Sequence, residues 1–321
     1  MLPQLYAVSA GSSEYVFTMS ETTHVLVVGA TGNQGSAVVD HLLESDHDFA
    51  VSGLTRDASS DAAQALEARG VTMVEGDLDE PETLRGPVSD ADTVFAVTNF
   101  WTVGYDRQVQ QGKNIADVAS EESVDQFVFS GVGSHDEETG IPHFDSAAEI
   151  DDHIQELGLP ATVLKPVFFY ENLEAFAESI VDDGQLALPL AEGVGLQMVS
   201  DDDIGHAATV AFERRDEFVG ESIDLAGDEK TLEETAAILS EVTGRDVEAV
   251  HVPIEDAYET FGEEFTVMCE WFNEVGYSAD IAALEDRFGF AFTDLETYLR
   301  EHGWADKDGM ASVPGWVKAM Q

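Results

Sequence analysis

Gly29, Gly32 and Gly35 stand three residues apart in the run Gly29-Ala30-Thr31-Gly32-Asn33-Gln34-Gly35. Glycines so placed permit a tight turn, let the backbone approach a pyrophosphate, and let the next helix pack close to a sheet. Free N–H groups at that helix start then face the phosphates. The chemistry requires an apolar strand before the turn and a helix after it. Residues 24–28 are a continuous apolar run suited to a strand buried on both faces, and Ala37, Val38, Leu42 and Leu43 recur at helical spacing. The turn therefore reads as a dinucleotide site.

Other residues fall at strand ends. Arg56 follows a second apolar strand, where an acid would serve the 2′-hydroxyl of NAD and an arginine accommodates a 2′-phosphate. Arginine is scarce in this chain, so the expected cofactor is NADP(H) in preference to NAD(H). Asp57 either weakens that phosphate site or points to solvent. Asp77 and Leu78 follow a third strand, where they would meet adenine or else cap a turn before Pro81. Phe100, Trp101, Phe168, Phe169 and Tyr170 read as an aromatic group where strands end, serving either as a pocket wall or as core between lobes.

These residues need a frame that the rest of the pattern supplies. Strand-like runs at 24–28, 49–54, 71–74, 93–98, 126–130 and 161–165 alternate with helical stretches at 61–69, 81–84, 107–119 and 145–157. Asp145 is the expected cap of the last helix. The rhythm predicts an α/β fold, a doubly wound parallel sheet. Beyond Pro166 it becomes irregular: helical at 172–181, a hairpin at 185–190 and 195–199, and a helix at 203–212. Strands at 222–226 and 247–252 flank a helix at 232–242, and the remainder to Trp304 is mostly helical. The expected organisation is an extension at 1–21, a dinucleotide-binding domain at 22–166, a smaller mixed α/β lobe at 167–304 with some segments returning to the first domain, and a loose tail at 305–321.

Charge sets the surroundings. The chain has 65 Asp and Glu against 14 Lys and Arg, a formal net of -51 in 321 residues, with the acids spread along its length. Such a surface over an ordinary core suits molar salt, where self-repulsion is screened within about 3 Å, so a halophile cytosol is expected. Phosphate neutralisation by Lys and Arg is what direct nucleic-acid binding needs, and it is not expected here. Cys269 is the single cysteine and reads as a buried thiol in a reducing, cytoplasmic setting. No run of 18 apolar residues suggests a membrane span. The nine histidines show no zinc-like spacing, and Asp201-Asp202-Asp203 reads as a helix N-terminus rather than a calcium loop, so no metal is expected.

Several motifs together resemble the NmrA-like family, an atypical branch of the short-chain dehydrogenases/reductases. They are the glycine turn, Thr55-Arg56, Gly76-Asp77-Leu78-Asp79, Val97-Thr98-Asn99-Phe100-Trp101, His143-Phe144-Asp145 and the run from Pro166 to Leu173. The resemblance spans about Thr23 to Trp304, with residues 201–205 and 298–304 also matching. It implies that the glycine turn and Arg56 hold phosphates, and that Asp77 and Leu78 flank adenine. It further implies that Thr98, Asn99 and Phe100 line the cleft, with Phe169 and Asn172 near nicotinamide. Members bind NADP(H) or NAD(P), and several act as redox sensors that regulate a protein partner.

Active short-chain dehydrogenases carry Tyr-x-x-x-Lys, whose lysine lowers the tyrosine pKa and holds the ribose. Here the matching stretch is His143-Phe144-Asp145-Ser146-Ala147. His143 can move a proton, but Ala147 cannot replace a cation. Ser130 matches the usual substrate-orienting serine, or is a strand-end hydrogen-bonding residue. Lys165, ending a strand, could reach the cleft from another side. The expectation is a non-catalytic NAD(P)(H)-binding regulator, the alternative an NAD(P)H-dependent reductase of a small quinone or carbonyl substrate.

Overall fold

The computed structural model describes residues 22–134 and 139–307. The expected extension at 1–21, and the expected tail from residue 308 onward, lie outside the described residues. The strands are β1 (Thr23–Val28), β2 (Phe49–Thr55), β3 (Thr72–Glu75), β4 (Thr93–Val97), β5 (Gln126–Ser130), β6 (Ala161–Pro166), β7 (Phe168–Phe169), β8 (Gln185–Leu188), β9 (Leu196–Val199), β10 (Ser222–Leu225), β11 (Asp228–Lys230) and β12 (Glu248–His251).

Seven of them form one parallel sheet in the order β3-β2-β1-β4-β5-β6-β10. The order reverses beside β1, and the crossover helices cover both faces, as a doubly wound fold requires. Strand β1 shows why its residues are apolar without alternation. Val25 and Val27 enter a core with helices Asn33–Glu44 and Asp201–Glu213, while Leu26 and Val28 enter another with Tyr105–Glu122 and Pro142–Leu157. Both faces exclude water, so polar residues have no place on it.

Two sequence expectations fail for stated reasons. Residues 185–190 and 195–199 do not form a hairpin. Strand β8 pairs in parallel with β12, and β9 lies between β7 and β11. The strand expected at 222–226 is present as Ser222–Leu225; it pairs with β6 in the main sheet and supplies the seventh strand. Asp145 does not cap its helix, because Pro142 starts it one turn earlier. The Asp145 carboxylate instead accepts a hydrogen bond from Thr139 Oγ1 at 3.2 Å.

The residues expected as a helix at 172–181 are a 3-10 turn, Tyr170–Phe176, followed by a π turn, Ser179–Asp183. The two small sheets and the helices Leu232–Thr243, Glu263–Glu274 and Leu295–Glu301 enclose a separate apolar core. Cys269 lies in it, and burial pushes its thiol well above the ordinary range.

Candidate functional site

Strand β1 ends at Val28, and Gly29 turns the chain with a φ of 74°. The turn closes by a hydrogen bond from Gly32 N–H to Gly29 O at 2.8 Å. A Cβ at Gly35 would lie 2.1 Å from Gly29 O, so a side chain there would force the helix off the turn. At Gly32 the corresponding distance is 3.3 Å. Gly32 caps the helix Asn33–Glu44 without a side-chain bond. The backbone N–H groups of Asn33, Gln34 and Gly35 have no acceptor among the described residues. They form the positive end of a helix dipole directed at the strand ends.

Ser130 ends β5, and its hydroxyl donates to Gln34 Oε1 at 2.6 Å. It braces the glycine turn in this structure. Arg56 follows β2, is exposed, and has no ion pair among the described residues. The Asp57 carboxylate is turned onto Ser59, accepting its N–H at 2.9 Å and its hydroxyl at 2.6 Å. Those bonds hold the Asp57 carboxyl below its ordinary pKa. Arg56 is therefore left as the available cation at this strand end.

The loop after β3 is pinned from the helix Tyr105–Glu122. Asn114 donates to Leu78 O at 2.7 Å, while Arg107 and Gln111 donate to the Asp79 carboxylate. The Arg107 guanidinium holds the Asp79 carboxyl below its usual range. Asp77 accepts the Asp79 N–H at 3.0 Å, a local turn rather than a cap of the 3-10 helix Pro81–Thr83. Beyond β4, Thr98 accepts from Gln108 at 3.1 Å, and Gln108 accepts from the buried Ser146 at 2.5 Å. Asn99 caps the short helix Phe100–Val103 through Thr102 N–H.

The candidates for proton chemistry are all engaged. His143 is 8% exposed, and its Nδ1 meets Glu264 Oε1 at 2.7 Å while its backbone N–H donates to the same oxygen. Ala147, one helical turn on, is 1% exposed and brings no charge. Lys165 is 4% exposed and pairs with Asp224 at 3.5 Å across the β6–β10 register.

The expected aromatic group is divided. Phe100 and Trp101 pack on the His143 ring at 5.8 and 5.1 Å. Phe168 and Tyr170 instead enter the second core, against Phe272 and Tyr298. Phe169 packs on the first core through its pairing with Val199, and Asn172 lies on the 3-10 turn that follows.

The NmrA-like family profile matches residues 21–301. The chain belongs to the NmrA-like family. Among relatives of this NmrA-like chain, an NAD(P)H azoreductase of Xenophilus azovorans is 34% identical over 236 residues, covering 73% of this chain and 78% of its own. An isoflavone reductase homologue of Solanum tuberosum is 26% identical over 270 residues, covering 76% and 82%. In fold, the chain is similar to the NADPH-dependent quinone oxidoreductase QOR2 of Escherichia coli complexed with NADPH (TM-score 0.76, 20% identity, 87% and 99% covered). It is also similar to NmrA, a negative transcriptional regulator, in complex with NADP (TM-score 0.73, 20% identity, 91% and 100% covered).

Three kinds of feature in this NmrA-like chain carry no sequence motif that marks them. Glu264 and Tyr277 come from segments with no motif. Asp224 could have been suspected, since an acid on a strand beside Lys165 needs a partner. The third is a buried carboxyl pair beneath the glycine turn. Glu171 Oε1 accepts the Asp201 N–H at 3.1 Å, and its Oε2 is buried without a partner. Burial and mutual repulsion push Glu171 up to about 8, and burial pushes Asp201 up to about 6 against the opposing pull of the Asn33 amide. Among the described residues, no group of three or more His, Cys, Asp or Glu could hold a metal ion, and no helix is long and apolar enough to cross a membrane.

Proposed function

We propose that this protein binds NADP(H) and transfers hydride to a flat, conjugated acceptor, such as a quinone or azo compound, without the dyad of short-chain dehydrogenases. The observation that carries the cofactor reading is Arg56, without an ion pair among the described residues, near a glycine turn with three N–H groups that have no acceptor among them, in a chain with 65 acidic residues. The turn would hold the pyrophosphate, and Arg56 the 2′-phosphate. When bound, the dinucleotide supplies hydride.

The acceptor class follows from the groups already engaged. His143 is held at Nδ1 by Glu264, Ser130 by Gln34 and Lys165 by Asp224, so each candidate already has a partner and none repeats the tyrosine activated by a lysine. Conjugated acceptors take hydride into a delocalised anion that water can protonate later, whereas an aldehyde needs its oxygen protonated as hydride arrives. Phe100, half-buried at this strand end, supplies aromatic surface for such a ring. The name of the azoreductase relative supports this order, which reverses the order favoured by sequence alone.

A regulator is the second reading, and Ala147 favours it, because no cation stands where the dyad's lysine would. In that case cofactor occupancy would shift affinity for a protein partner, through different affinities for two conformations. The test is NADPH binding in molar KCl, followed by stopped-flow NADPH oxidation with a quinone, an azo dye and an aldehyde. Quinone and azo turnover without aldehyde turnover is expected. Tight NADPH binding with no turnover of any acceptor would transfer the conclusion to the regulator.

A further inference from the structure

We infer that Tyr277 is the hydrogen-bond donor to the acceptor: its phenol meets the heteroatom on which negative charge develops as hydride arrives. The inference rests on the reductase reading and names a residue for it that lies outside the dyad positions.

Tyr277 follows the helix Glu263–Glu274 and returns over the carboxyl ends of β5 and β6. There Gly131 and Gly133 donate their N–H groups to Leu164 O and Pro166 O. A Cβ on Gly133 would lie 2.9 Å from Tyr277 Cε1 and 3.1 Å from Val167 Cγ1, so the ring rests directly on this strand-end loop. Open α/β sheets bind their ligands along that edge. Phe144, which neighbours His143, lies 6.3 Å from the Tyr277 ring, so Phe100, Trp101, His143, Phe144 and Tyr277 form a continuous aromatic line between the lobes.

The ring is fixed by Trp271 and Phe272 at 5.3 and 5.2 Å, and it packs on both large cores. A phenylalanine would serve that packing equally. The hydroxyl is the additional feature, and it makes no hydrogen bond within the described residues. A half-buried hydroxyl left without a protein partner at a ligand-binding edge is available to a ligand. Asp224, held by Lys165 and by the Ser134 N–H at 2.9 Å, is the charged group that acts on it. Burial and that carboxylate keep the phenol protonated far above neutral pH. Its chemistry is therefore donation of a hydrogen bond, without loss of the proton.

The step balances without the phenol ionising. Hydride adds to the acceptor, an electron pair moves to the quinone oxygen or azo nitrogen, and the resulting anion is stabilised by the Tyr277 O–H. Water then supplies the proton.

The test compares wild type, Tyr277→Phe and the exposed-tyrosine control Tyr258→Phe in molar KCl. Tyr277→Phe should keep its melting temperature and NADPH affinity while kcat/KM for a quinone falls by roughly 10- to 100-fold, the effect of losing a hydrogen bond to a charged group. A readout independent of turnover is binding of 2-hydroxy-1,4-naphthoquinone, a coloured anion resembling the product, in the presence of NADP+. Wild type and Tyr258→Phe should bind it with equal affinity, and Tyr277→Phe at least about tenfold more weakly. Equal binding by all three proteins, or no binding by wild type, overturns the assignment of Tyr277. Absence of turnover with intact, Tyr277-dependent binding of the naphthoquinone would sink the reductase reading alone.

Discussion

Replacing Glu171 by glutamine should stabilise the protein above neutral pH, and the buried carboxyl pair sets the size of the effect. Both acids hold a proton more tightly in the fold than in the unfolded chain, at about 8 and about 6 against ordinary values of 4.5 and 3.8. A raised folded pKa means that their stabilising contribution is complete below about pH 4. It is lost progressively as pH rises to about 8, and the loss is constant beyond. For Glu171 alone, the span from 4.5 to about 8 at about 1.4 kcal/mol per unit gives an upper bound of about 5 kcal/mol. The two sites share one repulsion, so their losses do not add, and about 2 kcal/mol is the working value.

The glutamine side chain keeps an oxygen for the Asp201 N–H and places an amide N–H where Oε2 has no partner among the described residues, within the field of the Asp201 carboxylate. At about 1.5 °C per kcal/mol for a chain of 321 residues, wild type should lose roughly 3 °C in Tm between pH 5 and pH 8.5. Glu171→Gln should lose much less and melt above wild type at pH 8.5. Salt is held at one molar concentration, so that repulsion among the other acids is common to both proteins. Parallel pH profiles, or a variant that melts below wild type at pH 8.5, would refute the reasoning.

Three further outcomes follow from the cofactor turn. Gly35→Ala should lower Tm and remove NADPH binding together, since its methyl overlaps Gly29 O, whereas Gly32→Val should keep the fold and lose binding; thermal melts beside fluorescence titration separate them. Arg56→Ala should weaken NADP(H) by about tenfold or more and leave NAD(H) nearly unchanged, measured at the lowest salt the fold tolerates; equal loss for both would remove the 2′-phosphate assignment. Ser130→Ala should reduce NADPH affinity by a few-fold through loss of the bond to Gln34, at roughly 1 kcal/mol, and an unchanged affinity would show that the brace does not position the turn.

What was legible in the sequence was local. The glycine turn, the apolar strand before it and Arg56 after β2 each lie within a few residues of the signal that marks them. The hairpin at 185–199 was misread because alternation reports a strand without naming its partner. The partners, β12, β7 and β11, are set by how helices Leu232–Thr243 and Glu263–Glu274 fold back over the lobe. The site was legible to the same depth. His143, Ser130 and Lys165 could be named as candidates, but their engagement by Glu264, Gln34 and Asp224 depends on contacts 121, 96 and 59 residues away (the last from Asp224 to Lys165). Tyr277 has no motif around it, and its position becomes informative only when Gly133 is seen beneath its ring.

The late return of β10 to the central sheet bears on how the chain is made. Strand β6 has an open edge until Ser222–Leu225 arrives, and the turn helix Asn33–Glu44 has an uncovered face until Asp201–Glu213 arrives. Gly205 allows that second helix to sit so close that a Cβ would lie 2.5 Å from the Ala37 carbonyl carbon. During synthesis, the first six strands therefore emerge with an apolar helix face that waits for Asp201–Glu213 and a pairing edge that waits for Ser222–Leu225. An unfinished edge of this kind invites pairing with another nascent chain.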